Sequence, residues 1–141
     1  MGIVKAYIFS RKVFAMINPN HQAAAQDRGA ILTKAAVRAA ERLNITGRQL
    51  AHVLGVSEAQ VSRFRTGEAA LAEHSKPFEL AALLVRTFRS LDAITGGDEK
   101  VARAWLVAPN AALGAIPAER IATVQGLADV VTYLDARRAA L

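Results

Sequence analysis

The stretch "RQLAHVLGVSEAQVSRFRTG", residues 48–67, has the pattern of two short helices joined by a tight turn. Ala51 is a small residue where two helices can cross closely, and Gly55, four positions later, supplies the positive φ that a sharp turn needs. Thr46 and Ser57 precede the two helices, each with a glutamine three residues on, which predicts two capping boxes. The stretch therefore predicts a helix-turn-helix.

The side chains of this stretch divide between a buried face and an outer face. The apolar residues at core spacing are Leu50, Leu54, Val56, Val61 and Phe64. The outer face of the second helix carries short or polar side chains, namely Ser57, Glu58, Ala59, Gln60, Ser62, Arg63 and Arg65. Such side chains can enter a major groove, so this face is predicted to bind DNA. The alternative is an ordinary helical hairpin, because small-residue crossings and glycine turns also occur in many protein cores.

The chemistry of the outer face suggests individual roles. Gln60, Ser62 and Arg63 are expected near base edges, because glutamine can bond adenine and arginine can bond guanine. Glu58 would repel DNA unless it accepts a hydrogen bond from a cytosine amine.

Positive charge is concentrated around this stretch. The net charge is +6, and residues 29–67 carry six basic and two acidic side chains, whereas residues 68–141 carry eight and nine. A polyanionic partner is therefore expected for the front of the chain. Arg48, Ser57 and Arg65 are expected at phosphates. A merely solvated basic surface is the alternative.

Composition favours helices and gives no sign of catalysis. Hydrophobic residues make up 52% and aromatic residues 6% of the chain, and alanine is abundant, which predicts an all-α protein packed on small side chains. The absence of cysteine excludes disulfides, thiolate metal sites and a cysteine nucleophile. His21, His52 and His74 lack metal-ligand spacing. No metal, cofactor or enzymatic activity is expected.

Helices are predicted on both sides of the helix-turn-helix. Residues 21–29 are polar and small and predict a loop. A helix over residues 30–43 is predicted from the apolar spacing of Ile31, Ala35, Val37 and Leu43. Further helices are predicted over residues 76–93, from the cap Asp98 to before Pro109, over 117–124 and over 126–139.

The clearest internal break, at residues 96–97, is a pair of glycines. The predicted organisation is an N-terminal extension or arm at residues 1–28, a helix-turn-helix DNA-binding module with a connecting helix at 29–95, and a small helical module at 96–141.

Two segments resemble a known family. Residues 46–67 resemble the Xre-like helix-turn-helix of Cro and phage repressors, and the rear of the chain resembles the toxin-binding domain of the Xre/MbcA/ParS antitoxins. The matching residues of the rear are Trp105-Leu106, Pro109-Asn110, Ala112-Leu113-Gly114, Pro117 and Gly126. The resemblance implies a type II antitoxin that neutralises a cognate toxin, usually a RES-domain enzyme that consumes NAD. It also implies repression of its own operon through double-stranded operator DNA. A homodimer is expected, because symmetric dimers suit inverted-repeat operators.

Toxin contacts are expected in residues 96–141. Trp105 is expected either to pack in the core or to enter a partner's groove, and the resemblance adds Asn110. Leu113 and Ile116, in a loop between two prolines, are candidates for an apolar contact outside the core.

The C-terminal end offers a second set of candidates. Arg137 and Arg138 lie near a predicted helix C-terminus, where positive charge is favourable. The alternative is that this end reaches into the toxin. We hypothesise that the terminal carboxylate at Leu141 could mimic a substrate phosphate in an NAD-binding cleft.

The sequence gives no indication of a membrane partner. Lys5, Arg11 and Lys12 interrupt the apolar residues of the N-terminus, and no apolar run approaches the roughly 18 residues that span a bilayer. A cytoplasmic bacterial location is expected. Two other functions stay open: a transcriptional regulator whose rear half only dimerises or senses a ligand, and a toxin-binding protein that has lost DNA binding.

Overall fold

The computed structural model describes Met16 and residues 19–141 of the chain. Seven helices lie within residues 19–141: α1 (Pro19–Arg42), α2 (Gly47–Leu54), α3 (Glu58–Thr66), α4 (Lys76–Ile94), α5 (Glu99–Val107), α6 (Pro117–Arg120) and α7 (Val124–Ala139). The same residues contain no β-strand, only an isolated bridge between Asn110 and Ala115. The predicted all-α class is confirmed. None of the described helices has the length and apolarity needed to cross a membrane.

Helix α4 is the centre of the fold. Helices α1, α2 and α7 all pack on it, while α5 and α6 pack on each other and α6 also contacts α7. The buried face of α4 consists of Ala81, Leu84, Thr87, Ser90 and Leu91. Buried side chains from residues 36 to 134 form one continuous hydrophobic core around this helix. The predicted boundary at residue 95 therefore separates two parts of the sequence that share a single core.

The predicted loop at residues 21–29 is wrong, because these residues belong to α1. Alanine and glutamine are strong helix formers, so the segment needs no apolar stripe to be helical. Gly29 does not end the helix. It is buried against the backbone before α4, where an added Cβ would lie 2.2 Å from the Leu71 carbonyl oxygen. The Thr33 hydroxyl secures this contact by donating to the Gly29 carbonyl (2.7 Å) and accepting from the Leu71 N–H (2.8 Å).

The predicted core face of α1 is also partly wrong. Of its four members Leu43 is buried, but Ile31 is 68% exposed. The buried residues of α1 are Gly29, Thr33, Ala36, Ala39 and Ala40. Small side chains bring the backbone of α1 close to its neighbours, so hydrophobicity alone does not identify the packed face.

The last two helices differ from their predicted bounds. Helix α6 ends at Arg120 rather than at residue 124, and α7 begins at Val124, capped by the Thr123 hydroxyl, which accepts from the Gly126 N–H (3.0 Å). Gly126 allows the two helices to meet, because a Cβ there would lie 1.9 Å from the Arg120 carbonyl oxygen. The chain therefore turns between α6 and α7, where the helix predicted over residues 117–124 was expected to continue.

Of the predicted N-terminal arm, residues 1–15, 17 and 18 lie outside the described residues.

Candidate functional site

The helix-turn-helix is built by its caps and turns. The Thr46 hydroxyl accepts from the Gln49 N–H (3.2 Å) and the Gln49 side-chain oxygen accepts from the Thr46 N–H (2.8 Å), so the first capping box is complete. Only half of the second box forms. The Ser57 hydroxyl accepts from the Gln60 N–H (3.1 Å), but the Gln60 side chain makes no return bond. Gly55 takes the expected left-handed conformation with φ of +68°.

The predicted core anchors of the motif are confirmed. Of these anchors Val56 is half-buried, and the buried ones are Leu50, Leu54, Val61 and Phe64. The small crossing residue Ala51 is buried as well. Since Val61 and Phe64 point into the core, helical periodicity directs the opposite face of α3 outward. That face therefore points away from the rest of the molecule.

The exposed face of α3 contains a residue that the sequence reasoning missed. Ala59, Ser62, Arg63 and Thr66 are exposed and follow the three- and four-residue spacing of one helix face. Thr66 could have been included from that spacing alone. Its hydroxyl donates to the Arg63 carbonyl (3.2 Å) at the end of α3.

The remaining predicted DNA-binding residues lie on the flanks of this face. Gln60 is half-buried, and the Arg65 guanidinium packs against Gly47, where an added Cβ would lie 3.2 Å from its Nη1 atom. Arg65 therefore lies at the N-terminus of α2, an end whose unpaired N–H groups favour anions.

Arg48 and Glu58 form a weak ion pair between the starts of α2 and α3. Their closest nitrogen and oxygen atoms are 4.0 Å apart, with 79% and 66% of the two side chains exposed. Exposed pairs of this kind contribute little to stability. Arg48 can therefore leave Glu58 for a phosphate at small cost.

A second candidate surface lies in the rear of the chain, where three side chains stack. The Trp105 and Tyr133 rings lie 6.2 Å apart between centroids with an interplanar angle of 13°, and the Arg137 guanidinium lies 5.6 Å from the Tyr133 centroid. Trp105 and Tyr133 are half-buried and Arg137 is exposed. The sequence reasoning missed Tyr133, although its position four residues before Arg137 on one helix was a signal for it.

The loop between α5 and α6 is held by Asn110. Its N–H donates to the Ala115 carbonyl and its side-chain oxygen accepts from the Leu113 N–H, both at 3.1 Å. Leu113 packs partly against the core and Ile116 is half-buried before α6. The Asn110 oxygen is thus used within the chain, while Ile116 retains an accessible apolar surface.

The structure does not bring all the predicted toxin-binding residues together. Arg137 points to the stack with Tyr133, whereas Arg138 lines a groove between α1 and α4. Leu141 is 78% exposed beyond the end of α7.

A cavity of about 300 Å³ opens between the front and rear of the molecule. Apolar residues of its lining include Leu43, Ile45, Val53, Leu106 and Ile121. Beside it, the Arg103 Nε–H donates to the Arg42 carbonyl (2.7 Å) and so fastens α5 to the C-terminus of α1. The helix-turn-helix and the rear of the molecule are therefore connected through direct contacts.

One ion pair, Arg28 with Glu73, has perturbed pKa values. The hydrogen bond from Arg28 to the Glu73 carboxylate lowers the pKa of Glu73 and raises that of Arg28. Among the described residues, no cluster of histidine, aspartate and glutamate side chains could hold a metal ion.

Comparison with known families identifies both parts of the chain. Residues 22–86 match the antitoxin Xre-like helix-turn-helix domain. Residues 90–139 match the antitoxin Xre/MbcA/ParS C-terminal toxin-binding domain. No curated protein matches the chain. The border between the two family domains falls within α4.

Proposed function

The chain is an antitoxin of the Xre/MbcA/ParS type, and on this premise we propose that it neutralises a RES-domain toxin that consumes NAD and represses its own operon. The observation that carries the proposal is the presence of an exposed helix-turn-helix face and a toxin-binding domain on one core. Neutralisation and repression are both binding activities, so the protein acts without catalysis of its own. Its two proposed partners are the cognate toxin and operator DNA. We propose that it acts on them in the cytoplasm as a homodimer.

The geometry of α3 supports operator binding. Ser62 and Arg63 are exposed on the face opposite the buried anchors, where their side chains can reach base edges. Arg48 and Arg65 lie beside the N-terminus of α2, a suitable position for phosphate contacts. Specific and electrostatic contacts are thus provided by neighbouring parts of the same motif.

Operator binding is tested with Arg63→Ala and the DNA upstream of the protein's own gene. We expect the Kd to rise by about 10-fold or more and sequence discrimination to fall, since a bidentate base contact contributes about 1–3 kcal/mol. Lys100→Ala, which removes an equal charge from an exposed site on α5, is the matched control and should change affinity little. Equal losses for the two variants would contradict the assignment of α3.

The stack of Trp105, Tyr133 and Arg137 supports toxin binding. Aromatic residues and arginine are the side chains most enriched at the centres of protein interfaces. Here they combine two half-buried rings with an exposed cation inside the matched toxin-binding domain. The fixed ring pair would lose little conformational freedom on binding.

Neutralisation is tested by co-expressing the protein with the product of the neighbouring gene and measuring cellular NAD. Wild type should preserve NAD, and Trp105→Ala should weaken the complex by at least about 30-fold, as expected for loss of an interface anchor. Arg137→Ala provides a variant at an exposed site that should still fold. Tyr133→Phe, which keeps the ring stack, should still neutralise the toxin. A toxin left fully active by an equal amount of wild-type protein would refute the function and favour a plain regulator.

A further inference from the structure

A groove of about 550 Å³ runs between α1 and α4, away from the Trp105 stack. Apolar residues of its lining include Ile31, Phe78 and Val85. Ile31 is 68% exposed, while Phe78 and Val85 are half-buried. A concave apolar surface with an exposed isoleucine at its edge is suited to the apolar face of a partner.

Four arginines surround this apolar floor. Arg28 and Arg86 already have carboxylate partners within the chain, Glu73 and Asp135. The other two are Arg89 and Arg138, which contribute to the same groove.

Arg89 and Arg138 have no acidic partner among the residues that the structure describes. Both side chains are exposed. The groove therefore combines an apolar floor with two cations that no carboxylate of the described chain neutralises, which is the complement of an acidic amphipathic segment.

We propose that this groove binds an acidic amphipathic helix of the toxin. The proposal rests on the proposed function and extends the toxin contact beyond residues 90–139. Arg138 belongs to the matched toxin-binding domain and follows Arg137, so a partner that covers the end of α7 can contact both the stack and the groove. The expected helix has apolar residues at i, i+3 or i+4, and i+7, flanked by aspartate or glutamate.

Charge argues against the other occupants. A second copy that placed this groove on a two-fold axis would bring the same arginines close together. Residues 1–15 of the chain carry three basic and no acidic side chains, so they have the same sign of charge as the groove. DNA would leave the apolar floor exposed, because phosphate contacts do not use it.

The test measures toxin affinity of the double variant Arg89→Glu/Arg138→Glu by calorimetry at low and high salt. We expect at least a 10-fold loss of affinity at low salt and a smaller loss at high salt, because screening weakens the charge interaction. Circular dichroism should be unchanged. Lys34→Glu/Lys100→Glu makes the same change of net charge at exposed sites elsewhere and should retain wild-type affinity.

A second variant, Ile31→Asp, tests the apolar lining at the edge of the groove. It should also weaken the toxin complex by at least 10-fold while leaving operator affinity and the oligomeric state unchanged. Conversion of a dimer to a monomer would identify the groove as an interface between copies and overturn the proposal, as would loss of operator binding. Normal toxin affinity in the charge-reversed protein would overturn this inference alone. A wild-type protein that binds no toxin would overturn the proposed function as well.

Discussion

Replacement of Gly29 by alanine should destabilise the protein, although the substitution improves helix propensity. Gly29 lies in the middle of α1, where alanine is normally more stable than glycine by about 0.8–1.0 kcal/mol. The added Cβ would lie 2.2 Å from the Leu71 carbonyl oxygen and must move to at least 3.0 Å. The opposing backbone, rather than a flexible side chain, has to give way.

The size of the effect follows from two costs. Overpacking in a core typically costs about 1–3 kcal/mol. Separating α1 from Leu71 also strains the 2.8 Å hydrogen bond from the Leu71 N–H to the Thr33 hydroxyl, and a buried donor left without a partner costs about 1–3 kcal/mol. After the gain in helix propensity, we expect Gly29→Ala to lower the free energy of unfolding by about 1–4 kcal/mol.

Urea unfolding followed by circular dichroism measures this change. Gly47→Ala is the matched control, because its Cβ would meet only the flexible end of Arg65, at 3.2 Å, and stability should stay within about 0.5 kcal/mol. If Gly29→Ala proved as stable as wild type or more so, the close approach of α1 to Leu71 would be refuted.

Three further predictions concern charge and capping. Because Arg28 lowers the pKa of Glu73 below 4.5, the pair stabilises the folded state above that pH, and the stability difference between wild type and Glu73→Gln should close as pH falls below it, which acid titration of urea unfolding would reveal. Glu58→Gln should tighten DNA binding, most clearly at low salt, because it removes a carboxylate that repels the phosphate expected beside Arg48; unchanged affinity at low salt would contradict this. Thr46→Ala should cost about 1 kcal/mol in urea unfolding by removing a cap, and no loss would count against the capping box.

Local signals made the helix-turn-helix predictable from sequence. A cap such as Thr46 and a turn glycine such as Gly55 act within a few residues, so spacing alone locates them. The start of α1 was missed because residues 21–29 are polar and small, without an apolar stripe, and end at Gly29, a residue type that normally weakens a helix. The contact that requires it involves Leu71, 42 positions away, and no local pattern reports such a contact.

The candidate sites were likewise only partly predictable from the sequence. Outward positions on α3 follow from periodicity, so Ser62 and Arg63 could be identified once Val61 and Phe64 were taken as core. The stack of Trp105 on Tyr133 depends on how α5 lies beside α7, which sequence spacing does not determine. The grouping of Arg138 with α1 and α4, rather than with Arg137, depends on tertiary packing in the same way.

The dependence of both halves on α4 limits how such a protein can be recombined. A chimera that takes residues 1–95 from one relative and the remainder from another would replace α7 while keeping the helix it packs on. Mismatched shapes at Leu84, Leu91 and Leu134 would then disturb α1 and α2, which pack on the same helix, as well as the exchanged tail. Exchange of specificity by gene shuffling should therefore succeed only between relatives whose α4 side chains match those of α1, α2 and α7 alike.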